Sequence, residues 1–260
     1  MCRWAAYLGE PIFMSDIIST PENSLIVQSR MALESITETN ADGFGAAWYA
    51  HRTTPGIYRD VLPAWSDANL LSLADQVKSG LFLAHVRAAT GTATSRDNCH
   101  PFTCGEMSFM HNGVVGGFER FRKAADMMIS DDFYAFRKGS TDSEALFLVA
   151  MSEGLGKTPK DALEKTVGQF EALSRERGKS PHIRMTAAIS DGEKLYAVRY
   201  ASDDAAPSLY YRKGQHSDGW TVVSEPYAAC GDWEEIASGT FLTFTSETAI
   251  AERFNPIDPT

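Results

Sequence analysis

The chain has 260 residues, 43 % of them hydrophobic, enough for a substantial core in one large domain or two small ones. Its 24 basic residues against 34 acidic ones leave a net charge of −10, which argues against non-specific binding to nucleic acid or to an anionic membrane surface. No apolar run approaches the roughly 18–20 residues of a membrane helix, no charged segment leads into an apolar stretch at the N-terminus, and a cytoplasmic protein is expected.

The first element opens Met1-Cys2-Arg3-Trp4. The small residue after the initiator favours removal of Met1, which would give Cys2 both a free α-amine and a thiol. The amine titrates near ~7.7–8.0 and the thiol near ~8.5, so the amine takes the thiol proton at little cost. Such a residue is a nucleophile with its own general base. The plain alternative is a small core cysteine in a strand over Cys2 to Tyr7.

Pro11 to Pro21 is apolar but broken by prolines, and Asn23 to Arg30 reads as a short helix or turn. Asp42-Gly43-Phe44-Gly45 leads as a turn into a strand to Tyr49; its glycines mark either a bent core strand or a close backbone approach at a site. Ser66 is the expected cap of a helix running to about Lys78 and ended by Gly80. Leu81 to Ala89 is an apolar strand carrying His85-Val86-Arg87 near its end. Met107 to Val115 is a strand interrupted by the polar His111-Asn112-Gly113. Phe118 to Met127 is a helix, and Thr141-Asp142-Ser143-Glu144 opens another, with threonine as N-cap and glutamate three residues on.

Pro159 starts a third helix, with Leu163, Val167, Phe170 and Leu173 on its buried face. From Ile183 the pattern changes to strands: Ile183 to Ser190, Leu195 to Tyr200, Ser208 to Tyr211, Trp220 to Ser224 and Thr240 to Thr245. Strands at both ends with helices between suit a single α+β domain over residues 1–260 better than an alternating parallel fold. Cys2, Cys99, Cys104 and Cys230 are too few for a disulfide framework and are read as reduced thiols. A metal reading would combine Cys99, His100, Cys104 and His111, but their spacing is no standard zinc signature, so neither metal nor cofactor is expected.

If Cys2 attacks a carbonyl, donors for the oxyanion are required, and Asn112-Gly113 can supply a side-chain amide and a backbone N–H. A tight Asn-Gly hairpin turn is the competing reading. Arg87 can clamp a carboxylate through two parallel hydrogen bonds. Asp142, in the first turn of its helix, can accept an α-ammonium group or merely compensate the helix dipole.

The set Met1-Cys2-Arg3, Asp42-Gly43-Phe44-Gly45, His85-Val86-Arg87-Ala88-Ala89-Thr90, Asn98-Cys99-His100-Pro101, His111-Asn112-Gly113 and Ser140-Thr141-Asp142-Ser143-Glu144 closely resembles the class II glutamine amidotransferase family, glutaminase domains of the N-terminal-nucleophile hydrolases. Six motifs in order over Cys2 to Glu144 carry the resemblance. Beyond them it is to small standalone members, through Ser224-Glu225-Pro226. The resemblance implies a four-layer αββα sandwich of two antiparallel sheets between helical layers. It implies Cys2 as nucleophile, Asn112 and Gly113 as oxyanion hole, Arg87 as α-carboxylate clamp with Thr90 beside it, and Asp142 as α-amine acceptor.

Ala88 and Gly91 stand where many synthase-linked members have tryptophan and histidine, which affects how the pocket closes. The chain is not expected to carry a synthase domain of its own. It would therefore cleave glutamine and release ammonia, pass it to a separate ammonia-accepting protein, or hydrolyse a γ-glutamyl conjugate as the standalone enzymes of ergothioneine synthesis do. A non-catalytic binding module of the same fold is the remaining alternative.

Overall fold

Alternation along the first strand decides the layering. In β1 (Arg3–Phe13), Trp4, Ala6 and Leu8 point to one side and Ala5 and Tyr7 to the other, and both sets are buried. A strand apolar on both faces needs a covering layer on each side. The structure, a computed structural model, describes residues 2–34, 38–89, 91, 93–214, 219–228 and 231–259. Met1, Thr90 and Cys230 lie outside the described residues.

After β1 come α1 (Ser15–Ile18), α2 (Leu25–Arg30), β2 (Phe44–Tyr49), β3 (Gly56–Asp60), α3 (Ala68–Gln76) and β4 (Lys78–Val86). The middle of the chain forms β5 (Phe102–Cys104), β6 (Met107–Val115), α4 (Phe118–Asp126), α5 (Asp131–Tyr134), α6 (Asp142–Ser152) and α7 (Pro159–Arg177). It closes with β7 (Ile183–Ser190), β8 (Leu195–Ala201), β9 (Tyr210–Lys213), β10 (Trp220–Val223), β11 (Glu234–Glu235), β12 (Thr240–Phe244) and β13 (Ala249–Arg253).

The strands make two antiparallel sheets, ordered β11-β9-β10-β1-β4-β2-β3 and β13-β12-β8-β7-β6-β5. Trp4, Leu83, Met110, Ala188 and Leu242 fill the space between them. Ala5, Tyr7, Phe82 and Val86 pack against α1, α2 and α3 on one outer face. Phe109, Met185 and Val198 pack against α4, α6 and α7 on the other. The result is the α+β, four-layer αββα arrangement that the resemblance implies.

Thr141 caps α6 by accepting from Glu144 N, as its sequence predicts, and the short helix read over Asn23 to Arg30 forms as α2, with Ser24, not anticipated as a cap, accepting from Val27 N. Beyond its polar first turn, helix α6 is apolar on all sides from Ala145 to Met151, as a helix enclosed by α4, α5, α7 and the sheet must be. Other expectations need correction. The cap of α3 is Asp67, whose Oδ1 accepts from Leu70 N at 2.7 Å, while Ser66 ends a short 3₁₀ turn. Gly80 does not end that helix but lies inside β4. The Glu144 carboxylate does not return to its own cap but accepts from Lys138 N, Gly139 N and Arg137 Nη1. Strand β1 runs through Pro11 to Phe13.

Three buried histidines, His85, His100 and His111, lie where the sheets meet; His85 stacks on His100 at 4.2 Å between ring centroids and its Nε2 lies 3.3 Å from the His111 carbonyl. Burial holds His85 down to about 3 and the other two below the ordinary value of 6.5. The unfolded chain protonates all three near 6.5, so it binds more protons than the native state below that value. Native stability is therefore unaffected above this range and falls as the pH drops from 6.5 towards 3. At a pH about one unit below the ordinary value the loss from His85 alone is roughly 1.4 kcal/mol, and the other two act in the same direction. Urea midpoints should fall accordingly on acidification, and His100→Gln should flatten the slope.

A second expectation concerns β1. Arg3 and Glu225 form a fully buried ion pair. Glu225→Gln leaves the guanidinium without its counter-charge and should cost about 3–5 kcal/mol, read as a lower urea midpoint. An unchanged midpoint would show that the pair contributes nothing.

Candidate active site

Cys2 lies immediately before β1 and shares the inward face of Trp4 by strand alternation. It is half-buried, with Sγ 3.4 Å from the Ala88 backbone N–H and 3.7 Å from the Ala88 carbonyl. Burial pushes the thiol up from its ordinary value; the Ala88 N–H and the charges of Arg87 and Arg3 act in the opposite direction. A thiolate formed here therefore meets a backbone donor and lies in the field of two guanidinium groups.

The position of Cys2 is fixed by residues that sequence reasoning left without a role. Arg3 Nη1 donates to the Cys2 carbonyl at 3.2 Å, and Arg3 Nε donates to Glu225 Oε2 at 3.2 Å. The neighbouring Ser224 accepts from Trp4 N at 2.9 Å through its Oγ, and Ser224 N donates to the Trp4 carbonyl at 3.0 Å. Glu225 also accepts from Leu33 N, Glu34 N and Asn23 Nδ2, which joins the loop after α2 to the same carboxylate. Ser224-Glu225-Pro226 is thus the mount of the N-terminal segment. Its signal in the sequence was a charged residue at the end of an apolar strand.

Asn112 and Gly113 stand in the middle of β6, paired with Thr186 and Met185 of β7, so the hairpin-turn reading is wrong. No turn forms because the apolar run Met107–Met110 and Val114–Val115 continues on both sides and finds a full-length partner in β7. Trp4 Nε1 donates to Thr186 Oγ1 at 3.1 Å, placing the start of β1 over the β6–β7 pair that holds Asn112. Asn112 is fully buried, and neither atom of its amide has a protein partner among the described residues. Left without any partner, a buried amide costs on the order of 1–3 kcal/mol, so the Asn112 amide is open to a group other than the described protein residues. At Gly113 a Cβ would collide with the Arg184 carbonyl, which is why only glycine fits.

Arg87, one residue past β4 and buried, donates from Nη1 to the Asp42 carbonyl at 3.1 Å and from Nη2 to the Ala93 carbonyl at 3.5 Å. Backbone bonds between Arg87 and both Asp42 and Gly43 hold it against the turn before β2. Thr90, expected beside it, lies outside the described residues. Asp142 begins α6; its carboxylate accepts from Ser143 N at 2.7 Å and from Val115 N at 2.9 Å. The aspartate therefore ties α6 to the end of β6 as well as facing the helix dipole. Ser143 Oγ lies 2.8 Å from His111 Nδ1, linking that helix to the strand of Asn112.

The cysteines of the metal reading serve elsewhere: Cys104 packs in the helix-side core and Cys99 Sγ donates to the Asp60 and Ser95 carbonyls. Among the described residues no three His, Cys, Asp or Glu side chains converge on one point, and no helix is long and apolar enough to cross a membrane.

The segments that carry the thiol, the Asn112 amide, the Arg87 guanidinium and the Asp142 carboxylate adjoin one another: Cys2 Sγ meets Ala88, next to Arg87; Trp4 reaches Thr186, the partner of Asn112; and Asp142 accepts from Val115 N at the end of the Asn112 strand. Comparison with known proteins gives the family. The profile described as "Glutamine amidotransferases class-II" matches residues 22–205. The chain is 32 % identical to the probable glutamine amidotransferase DUG3 of Saccharomyces cerevisiae, over 96 % of this chain and 83 % of that protein. It is 29 % identical to the gamma-glutamyl-hercynylcysteine sulfoxide hydrolase of Mycolicibacterium smegmatis, over 91 % and 92 % of the two chains. A solved glutamine aminotransferase class-II domain protein from Silicibacter pomeroyi superposes with a TM-score of 0.80 at 48 % identity, covering 98 % of this chain and all of that one. The chain belongs to the class II glutamine amidotransferase family.

Proposed function

We propose that the chain is a single glutaminase-type domain that hydrolyses the γ-amide of glutamine through a γ-glutamyl thioester on Cys2. Removal of Met1 frees the α-amine, which takes the Sγ proton as the sulfur attacks the γ-carbonyl carbon. The carbonyl oxygen becomes an oxyanion and receives hydrogen bonds from Asn112 Nδ2 and the Gly113 N–H. The intermediate collapses, the C–N bond breaks, and the ammonium of Cys2 returns the proton to the departing nitrogen. Water then attacks the thioester, releasing glutamate and the thiol. Arg87 holds the substrate α-carboxylate and Asp142 its α-ammonium group.

The observation that carries this reading is the buried Asn112 amide without a protein partner, on the strand that faces the start of β1. A second reading, hydrolysis of a γ-glutamyl conjugate with a larger leaving group, is favoured by the resemblance to the hydrolase of Mycolicibacterium smegmatis over nine-tenths of both chains. The two share every step up to the leaving group.

Protein whose N-terminus is confirmed as Cys2 by mass spectrometry should release ammonia or an amine from glutamine or from a member of a γ-glutamyl panel without a second substrate. Cys2→Ala should abolish release with an unchanged melting temperature; an active Cys2→Ala protein would refute the reading. A kcat/KM far higher for one conjugate than for glutamine would select the second reading.

Asn112→Ala should lower kcat by about 10²–10³ fold with little change in KM, because the donor acts on charge present only in the transition state. A rise in KM alone would make Asn112 a ground-state contact.

A further inference from the structure

Asn98 does not touch the thiol, and none of the roles above uses it, yet it is buried and its side chain is fully engaged. Its Nδ2 donates to the Ala93 carbonyl at 2.8 Å and to Ser140 Oγ at 3.2 Å. Its Oδ1 accepts from the Ser140 backbone N–H at 2.7 Å and from Ser140 Oγ at 3.3 Å. The two segments it joins are far apart in sequence, and each leads into one of the two charged groups.

On one side, the Ala93 carbonyl that accepts from Asn98 also lies 3.5 Å from Arg87 Nη2, so the amide and the guanidinium share one oxygen. On the other, Ser140 precedes the Thr141 cap and Asp142 at the start of α6. The junction is tight: a Cβ on Gly139 would stand 2.5 Å from Asn98 Oδ1 and 2.5 Å from the Asp97 carbonyl. Glu144 grips the opposite side of the same turn through the Lys138 and Gly139 N–H groups. The turn before Asp142 is therefore clamped between a carboxylate and the Asn98 amide. A side-chain amide suits this place because it presents a donor to a carbonyl and an acceptor to an N–H at a fixed separation.

We propose that Asn98 is a positioning residue that sets the separation of Arg87 and Asp142, so that the α-carboxylate and α-ammonium groups of a γ-glutamyl substrate are recognised as a pair. This rests on the roles given to Arg87 and Asp142 under the proposed function. Cys2 and Asn112 are mounted independently of Asn98, on Glu225 and on the β6–β7 pairing. The Arg87 main chain beside the thiol is held by Asp42 and Gly43, so loss of Asn98 displaces the guanidinium and acts chiefly on substrate binding, leaving the Ala88 N–H on the thiol in place.

The test uses the full chain with a confirmed Cys2 terminus, glutamine, and two truncated amides, one without the α-amine and one without the α-carboxylate. A γ-glutamyl conjugate and its truncated forms replace them if a conjugate is the better substrate. Asn98→Ala should raise KM for the complete substrate about tenfold or more, with kcat within about threefold of the parent. It should also erase most of the preference over both truncated amides, while the rate of Cys2 alkylation by iodoacetamide stays the same. Asn98→Asp keeps the acceptor facing Ser140 and loses the donor facing Ala93. It should weaken the preference for the α-carboxylate and retain that for the α-amine. An unchanged KM in Asn98→Ala, or a parallel fall in kcat, alkylation rate and melting temperature, overturns the proposal and leaves the reading of Cys2 standing. A parent protein that cleaves no γ-glutamyl compound overturns both.

Discussion

The buried ion pair between Arg3 and Glu225 is the constraint on which the geometry of the site depends. Two charges taken out of water gain stability only if their remaining hydrogen bonds are met, and here most are. Glu225 receives three backbone or amide donors besides Arg3, and Arg3 spends a second nitrogen on the Cys2 carbonyl. The pair thereby fixes the main chain at the residue that would carry the nucleophile. An N-terminal residue without such an anchor would fray, since chain ends order only where something ties them down. Placing β1 between β10 and β4 in the seven-stranded sheet completes the restraint.

Against that fixed end, the second sheet supplies the opposite surface. The bond from Trp4 to Thr186 crosses the gap between the sheets, and Thr186 pairs with Asn112. Mid-strand placement makes the Asn112 backbone rigid, which suits the proposed role of donor to a developing charge, because a donor that reorganises gives back much of what it contributes. The Asn112 amide has no protein partner among the described residues, and apolar layers on either side of β6 enclose it. Departures from full hydrogen-bond satisfaction of this kind are expected where chemistry takes place.

The helical side has a different task. Glu144, Arg137 and Asn98 hold the turn before α6, so the carboxylate of Asp142 stands on a helix that is itself packed on all sides. The residues around the site thus fall into three rigid supports: a strand end, a strand centre and a helix start. Side chains on such elements are placed more precisely than side chains on loops.

Much was legible in the sequence. Period-two runs located Met107–Val115 and Ile183–Ser190 to the residue, Thr141 and Pro159 marked their helix starts, and the spaced motifs pointed to the family. These signals are local, and local chemistry fixes them. The sequence could not tell an Asn-Gly turn from an Asn-Gly pair inside a strand, because that choice depends on whether a partner strand seventy residues away is present to take up the hydrogen bonds. Nor could it give a purpose to Glu225 or Asn98. Each acts on residues brought near only by the fold: Glu225 on Arg3, across 222 positions of chain, and Asn98 on Ser140, across 42. Motif residues reveal the kind of chemistry, but the separation of charged groups in space is set by the packing of layers, and only the tertiary structure decides it.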